Sequence, residues 1–346
     1  MTRFSNRIGR VCLPAVVGCC VWIGMTAPLR GDPAATAPAG TNATTSQPLT
    51  AAPPTGKRDV SKPEQRTVLT KDQLTITFTY WGVEANPEAA VVILLHGRNG
   101  NRLDWPVEFL GQLHREGYVV VAPDLRGHGQ SKGGEEAKLR GAKADLKRLE
   151  SGKLKTVDYQ AMVTQDLEAI KLFLYTEHQQ RYLNMNRIGI VAAEISANLA
   201  TVFAAFDWDK APHEDGVGEL RTPRGQDVRA LVLISPEAPS ASIPVTNAIK
   251  MLRDPTIGVA FLFCHGTTDK LDQGATKRLF ETANPADKYK SRMYLKEYPS
   301  PLRGTEFLGR GVGLEGNIST FLDRHLRQAV SKWRDRESKL AKPVVP

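Results

Sequence analysis

Apolar residues along this chain fall into two patterns. Residues 91–95 and 118–122 are unbroken apolar runs, and 188–191, 230–234 and 259–263 repeat the signature. Strands read this way when both faces are covered and neither meets water. Residues 74–81 alternate instead, with Leu74, Ile76, Phe78 and Tyr80 set against Thr75, Thr77 and Thr79. That is the period of an antiparallel strand with one face turned to solvent. Residues 293–298 read as a final strand. Between the strands, helical spacing runs through 104–116, 157–180, 196–206, 272–283 and 315–335. Strands alternating with helices predict an α/β fold with a mostly parallel, doubly wound sheet and helices on both faces.

Two stretches break the alternation. Residues 132–156 hold eight Lys or Arg and four Asp or Glu, and residues 207–228 are polar, with Pro212, Gly216, Gly218, Pro223 and Gly225. Both are expected to be solvated insertions. A lid or a partner-binding element is the alternative, since loops at the carboxyl edge of such a sheet overhang its ligand site.

The first 63 residues follow another logic. Arg3, Arg7 and Arg10 precede a nearly continuous apolar run over 11–25, followed by the small-residue stretch that opens at Thr26, Ala27 and Pro28. That layout predicts a secretory signal peptide over 1–31, because the run is short of the roughly 20 residues a membrane span needs. An uncleaved anchor remains open, as does a lipidated Cys19 after Val16, Val17 and Gly18. Residues 32–63 are rich in Pro, Ala and Thr and hold too little apolar surface to offset ordering entropy, so a disordered linker is expected. The globular domain is expected over 64–335, with a flexible tail at 336–346. Export implies a periplasmic or secreted location. Of four cysteines only Cys264 lies in the domain, so no internal disulfide is expected. Dropping residues 1–31 removes four arginines and no acid, taking the net charge from +9 to +5, which is no argument for nucleic-acid binding.

Five turns carry the candidate chemistry. His96, Gly97 and Arg98 follow one predicted strand, and Asp124, Arg126, Gly127, His128, Gly129 and Ser131 follow the next. Ala192, Ala193, Glu194, Ile195 and Ser196 lie between a buried strand and a helix. His265, Gly266 and Asp269 follow a fourth strand, and Tyr298, Pro299, Arg303, Gly304 and Thr305 a fifth. Their order over roughly 66–335 resembles the α/β-hydrolase superfamily, and within it enzymes of the serine-aminopeptidase and dienelactone-hydrolase type. The D-x-R-G-H-G-x-S turn at 124–131 is the most specific match. The resemblance implies that the amides of Arg98 and Ile195 correspond to an oxyanion hole. It also implies that His96, Gly97, Asp124, Arg126, Gly127, His128, Gly129, His265 and Gly266 build turns, and that Asp269 is the triad acid.

Two triad positions depart from that pattern. Glu194 stands where the elbow G-x-S-x-G carries its serine, and Arg303 stands where the histidine falls. A serine needs a base to take its proton, and a guanidinium stays protonated at any working pH. Shifting the elbow frame to Ser196 places Glu194 and Asn198 where small residues are required, whereas the Glu194 frame places Ala192 and Ser196 there.

Three functions follow as expectations. In a catalytically inactive pseudo-hydrolase, Glu194, Arg303 and Asp269 would form an ion-pair chain, and the protein would keep a binding or scaffold role. In an unconventional ester or amide hydrolase, Glu194 would be nucleophile or general base, helped by the Arg98 and Ile195 amides. In an envelope scaffold, the basic insertion would meet an anionic partner. The expected partner is a small molecule or an envelope protein, with peripheral membrane association possible through the N-terminus. No phosphate-binding loop, dinucleotide fingerprint or metal-ligand spacing occurs, so no cofactor or metal is expected. His114, His178, His213 and His325 are expected at the surface.

Overall fold

The computed structural model describes residues 59–134, 149–240, 243–329 and 331–341. The expected signal peptide over 1–31 with Cys19, most of the expected linker, most of insertion 132–156 and the end of the tail lie outside the described residues. No described helix is long and apolar enough to cross a membrane.

Eight strands form one sheet. They are β1 (Glu64–Leu69), β2 (Thr75–Trp81), β3 (Val91–Leu95), β4 (Val119–Pro123), β5 (Ile188–Ala193), β6 (Val228–Ile234), β7 (Ala260–Gly266) and β8 (Met293–Tyr298). Their order is β1-β2-β4-β3-β5-β6-β7-β8. The first two pairings, β1 with β2 and β2 with β4, are antiparallel, and the rest are parallel. Every residue of β3, β4, β5 and β7 is buried, as their unbroken apolar runs require.

The helices are α1 (Val107–Arg115), α2 (Thr156–Ala161), α3 (Leu167–Gln179), α4 (Ile195–Trp208), α5 (Val245–Leu252), α6 (Ala275–Ala283) and α7 (Leu314–Leu322). A π-helical turn, Met162–Asp166, joins α2 to α3, and another, Asp323–Arg327, extends α7. Successive strand residues feed opposite faces of the sheet. Val91, Ile93 and Leu95 pack in the layer holding Ile170 of α3, Phe203 of α4 and Ile249 of α5. Val92 and Leu94 pack in the layer of Leu113 from α1 and Leu322 from α7. Two apolar layers therefore clamp the central strands, which fixes where their carboxyl ends emerge.

Several boundaries differ from the sequence expectations. The helix expected over 315–335 ends its π turn at Arg327. Beyond it Trp333 packs on α3, stacking on His178 at 5.1 Å and donating to its carbonyl. His178 is thus a core residue at 0% exposure, not a surface one. Its Nε2 bonds the Arg334 carbonyl at 2.8 Å and its Nδ1 accepts from the Met185 amide at 3.2 Å. His325 is also half-buried, among Tyr294 and Phe321. Arg336, placed by the sequence in the tail, is 3% exposed. It pairs with Asp227, which also pairs with Lys171 at 2.6 Å, and Lys171 reaches Asp207 as well. These four buried charges pin both ends of the 207–228 loop. Only glycine fits at Gly225, since a Cβ there would lie 1.9 Å from the Asp207 carbonyl oxygen.

Candidate functional site

Glu194 occupies the tight turn between β5 and α4, with φ 54° and ψ −124°. A side chain held in this region stores on the order of 1–3 kcal/mol, sustained only where the surroundings fix it. They do so here. The Glu194 amide donates to the Ile234 carbonyl at 2.9 Å, and its flanks Ala192 and Ser196 are buried at 0% and 1% exposure. Glu194 is also the N-cap residue of α4 by position, where the helix dipole favours negative charge, although its side chain makes no capping hydrogen bond.

Two glycines shape the space around that carboxylate. A Cβ on Gly97 would lie 2.9 Å from Glu194 Cδ, and one on Gly304 would lie 2.8 Å from Oε1. Gly304 also has φ +53°, and its amide donates to Ser235 Oγ at 3.1 Å. The Arg98 amide donates to Glu194 Oε2 at 3.0 Å. This is the amide that the resemblance assigns to an oxyanion hole, and the chain's own carboxylate occupies it. The other expected donor, the amide of Ile195, opens α4 and has no acceptor within the helix.

Arg303 and Asp269 come together as predicted. The guanidinium donates to Asp269 Oδ2 at 2.7 Å, with side-chain exposures of 14% and 4%. The Leu271 amide holds the other carboxylate oxygen at 2.8 Å. The expected third member is missing: no ion pair joins Arg303 to Glu194, whose carboxylate is taken by the Arg98 amide instead. The network is therefore an Asp269–Arg303 pair beside a separately held Glu194.

The turns have their own anchors. Asp124 accepts from the Arg102 amide at 2.7 Å and the Gln130 amide at 2.9 Å, and pairs with the Arg102 side chain. A Cβ on Gly129, which has φ +46°, would lie 2.3 Å from that carboxylate. Arg126 donates to Asp166 from its amide and side chain and also reaches Asp72. Its neighbour Gly127 takes φ +80°, and the Gly127 amide closes the turn on the Ser131 carbonyl at 2.8 Å. His96 donates from Nδ1 to the Gly97 carbonyl and accepts from the Leu125 amide on Nε2. Burial, with the nearby His128 ring 4.6 Å away, pushes its pKa down to about 4. His128 is shifted the same way by burial. His265 lies between Asp272, at 3.6 Å, and Glu297, at 3.3 Å. Gly266 lets the chain pass close to Ser300, whose carbonyl oxygen would sit 2.2 Å from a Cβ.

The sequence did not single out Glu237 or Tyr159. Arg98 donates to both oxygens of Glu237, by Nε at 2.8 Å and Nη2 at 2.5 Å, and its Nη1 reaches the Tyr159 hydroxyl at 3.3 Å. Asn198 of α4 holds the Glu237 carbonyl at 3.0 Å. The cavity lined by Gly97, Arg98, His128, Tyr159, Ile195 and Leu199 amounts to about 10 Å³. That is room for about one water and none for an acyl group. Beyond Tyr159 and Leu199 lies an apolar hollow of about 290 Å³ walled by Val163, Val202, Phe206 and Pro244. The signal for Glu237 was weak, since a glutamate in a loop after a strand has no motif to mark it.

Comparison with known proteins agrees with this fold. A family model for the alpha/beta hydrolase fold matches residues 90–172. No curated protein matches the sequence. Among solved structures, an esterase from Pyrococcus furiosus is similar at 15% identity and a TM-score of 0.52, over 77% of this chain and 92% of that one. A dienelactone hydrolase from Anabaena variabilis is similar at 16% identity and a TM-score of 0.50, over 77% and 98%. An acylaminoacyl peptidase from Pyrococcus horikoshii shares 13% identity at a TM-score of 0.52, over 79% of this chain and 43% of that one. At such identities the likeness speaks for the fold alone. Sheet order and the family model together give this chain the α/β-hydrolase fold.

Proposed function

We propose that this is an exported, non-hydrolytic member of its superfamily, keeping the scaffold for a binding role. The observation that carries this is the hydrogen bond from the Arg98 amide to Glu194 Oε2. An oxyanion hole works by offering unfilled donors to charge that develops in the transition state. A resident carboxylate fills one donor in the ground state and repels a developing oxyanion. Arg303, bound to Asp269, cannot accept a proton, so no base stands where a histidine would act. The cavity beside Arg98 and Tyr159, at about 10 Å³, is too small for an ester. The apolar hollow past Tyr159 supports a retained binding role, and the sequence of residues 1–31 supports export.

One observation favours the competing reading of a carboxylate nucleophile: the strained elbow is retained at Glu194. Steady-state hydrolysis of short activated esters by the full chain separates the two. The proposed function predicts no turnover above background, with Glu194→Ala indistinguishable from the parent. Turnover that Glu194→Ala abolishes would overturn it.

A further inference from the structure

A second hollow, of about 200 Å³, lies against the sheet edge and shares no residue with the cavity beside Arg98 and Tyr159. Its construction follows from two periodicities. Tyr294 and Lys296 are two apart on β8 and so face the same way, and Leu262 of β7 pairs with Tyr294. Asn317, Thr320, Phe321 and Arg324 recur at helical spacing on α7 and its π turn, which puts them on one face. The floor is aromatic: Tyr294 and Phe321 meet edge to face at 5.8 Å, and His325 packs 4.9 Å from Phe321. The Tyr294 hydroxyl donates to the Ser291 carbonyl and so accepts from His325 Nε2 at 3.2 Å.

Among the described residues the two cations on this hollow lack carboxylate partners. Among the described residues neither Lys296 nor Arg324 has an acid within ion-pair reach, and the Arg324 guanidinium lies 5.9 Å from the centre of the Tyr294 ring. The neighbouring acids are already engaged. Asp323 pairs with Arg327, Glu297 contacts His265, and Glu315 accepts from the Gly309 amide at 2.6 Å. Two unpaired cations over an apolar, aromatic floor complement a ligand with an apolar ring and a negative end. Size narrows this further. An engineered cavity of ~150 Å³ in another protein binds benzene, so about 200 Å³ admits one ring and a small substituent.

We propose that the hollow between β8 and α7 binds a small aromatic carboxylate, its ring on Phe321 and Tyr294 and its carboxylate between Arg324 and Lys296. The ring supplies area and edge-to-face contact, and the carboxylate gains charge-assisted hydrogen bonds from a guanidinium suited to it. The proposal stands whether or not Glu194 is catalytic.

Calorimetric titration of the full chain with benzoate at low salt tests it, with acetate and benzyl alcohol as comparators. Benzoate should bind one to one and more tightly than either. Arg324→Gln and Lys296→Gln should each weaken benzoate about tenfold, the loss of one charge-assisted contact, while leaving benzyl alcohol unchanged. Thr320→Trp, at an exposed helix position, should fill the hollow and remove benzoate binding with its thermal unfolding preserved. Acetate binding as well as benzoate, benzoate binding that survives Thr320→Trp, or no binding at millimolar benzoate by the folded chain would each overturn the proposal.

Discussion

At the residue scale, the site is decided by what its turns force on single side chains. Glu194, Asp269 and Arg303 were legible because each sits at a fixed offset in a turn whose backbone tolerates few alternatives. Their mutual contacts were only half legible. The resemblance placed Arg303 near Asp269, and the 2.7 Å pair forms. It could not say where the Glu194 carboxylate points, which depends on the gap between Gly97 and Gly304 and on the Arg98 amide. Gly304→Ala tests that packing. A methyl there would crowd Glu194 Oε1 at a positive φ, so a loss of about 2 kcal/mol in urea unfolding is expected. In a double-mutant cycle, Glu194→Ala should recover part of that loss. Strict additivity would show that the carboxylate does not occupy this gap.

At the element scale, strands were easier to read than helix ends. Continuous apolar runs have one explanation in an α/β chain, and residues 91–95 became β3 without change. Helix ends depend on contacts distant in sequence. The expected helix over 315–335 stops short because Trp333 and Arg336 bind α3 and the 207–228 loop, which periodicity cannot foresee. Edge strand β1 escaped because its residues are mostly exposed and carry no alternation of burial. Helix α5 escaped because it spans only Val245–Leu252 after Pro244. The buried Lys171, Asp207, Asp227 and Arg336 set gives this scale its prediction. Arg336→Ala strands Asp227 with a single cation in the interior and should cost about 3–5 kcal/mol by urea unfolding. A loss below about 1 kcal/mol would mean the segment carrying Arg336 does not anchor the loop.

At the scale of the whole molecule, two apolar layers around one sheet hold polar turns at the strands' carboxyl ends, and some of those turns bury neutral histidines. His96 is the clearest, its pKa lowered to about 4 by burial. Unfolded, the same ring titrates near 6.5, so below that pH the unfolded chain binds a proton the native one refuses. Native stability should therefore fall as pH drops from about 6.5 toward 4. His96 alone accounts for about 2 kcal/mol between pH 7 and pH 5. His128, His178 and His325, lowered by burial too, act in the same direction. Urea midpoints across this range check the slope, and a midpoint that rises on acidification would contradict it.

The central claim is that Glu194 is a held carboxylate and not a nucleophile. Attack on an ester would expel its alcohol and leave its acyl group on the carboxylate as a mixed anhydride. Hydroxylamine attack at the glutamyl carbonyl of that anhydride, expelling the acetate, leaves a hydroxamate at the glutamate. Mass spectrometry of the full chain, after incubation with an activated acetate ester and hydroxylamine, looks for that product directly. The account predicts an unmodified Glu194. A hydroxamate on Glu194 would show that the carboxylate leaves the Arg98 amide and reacts, and the non-hydrolytic account would fall.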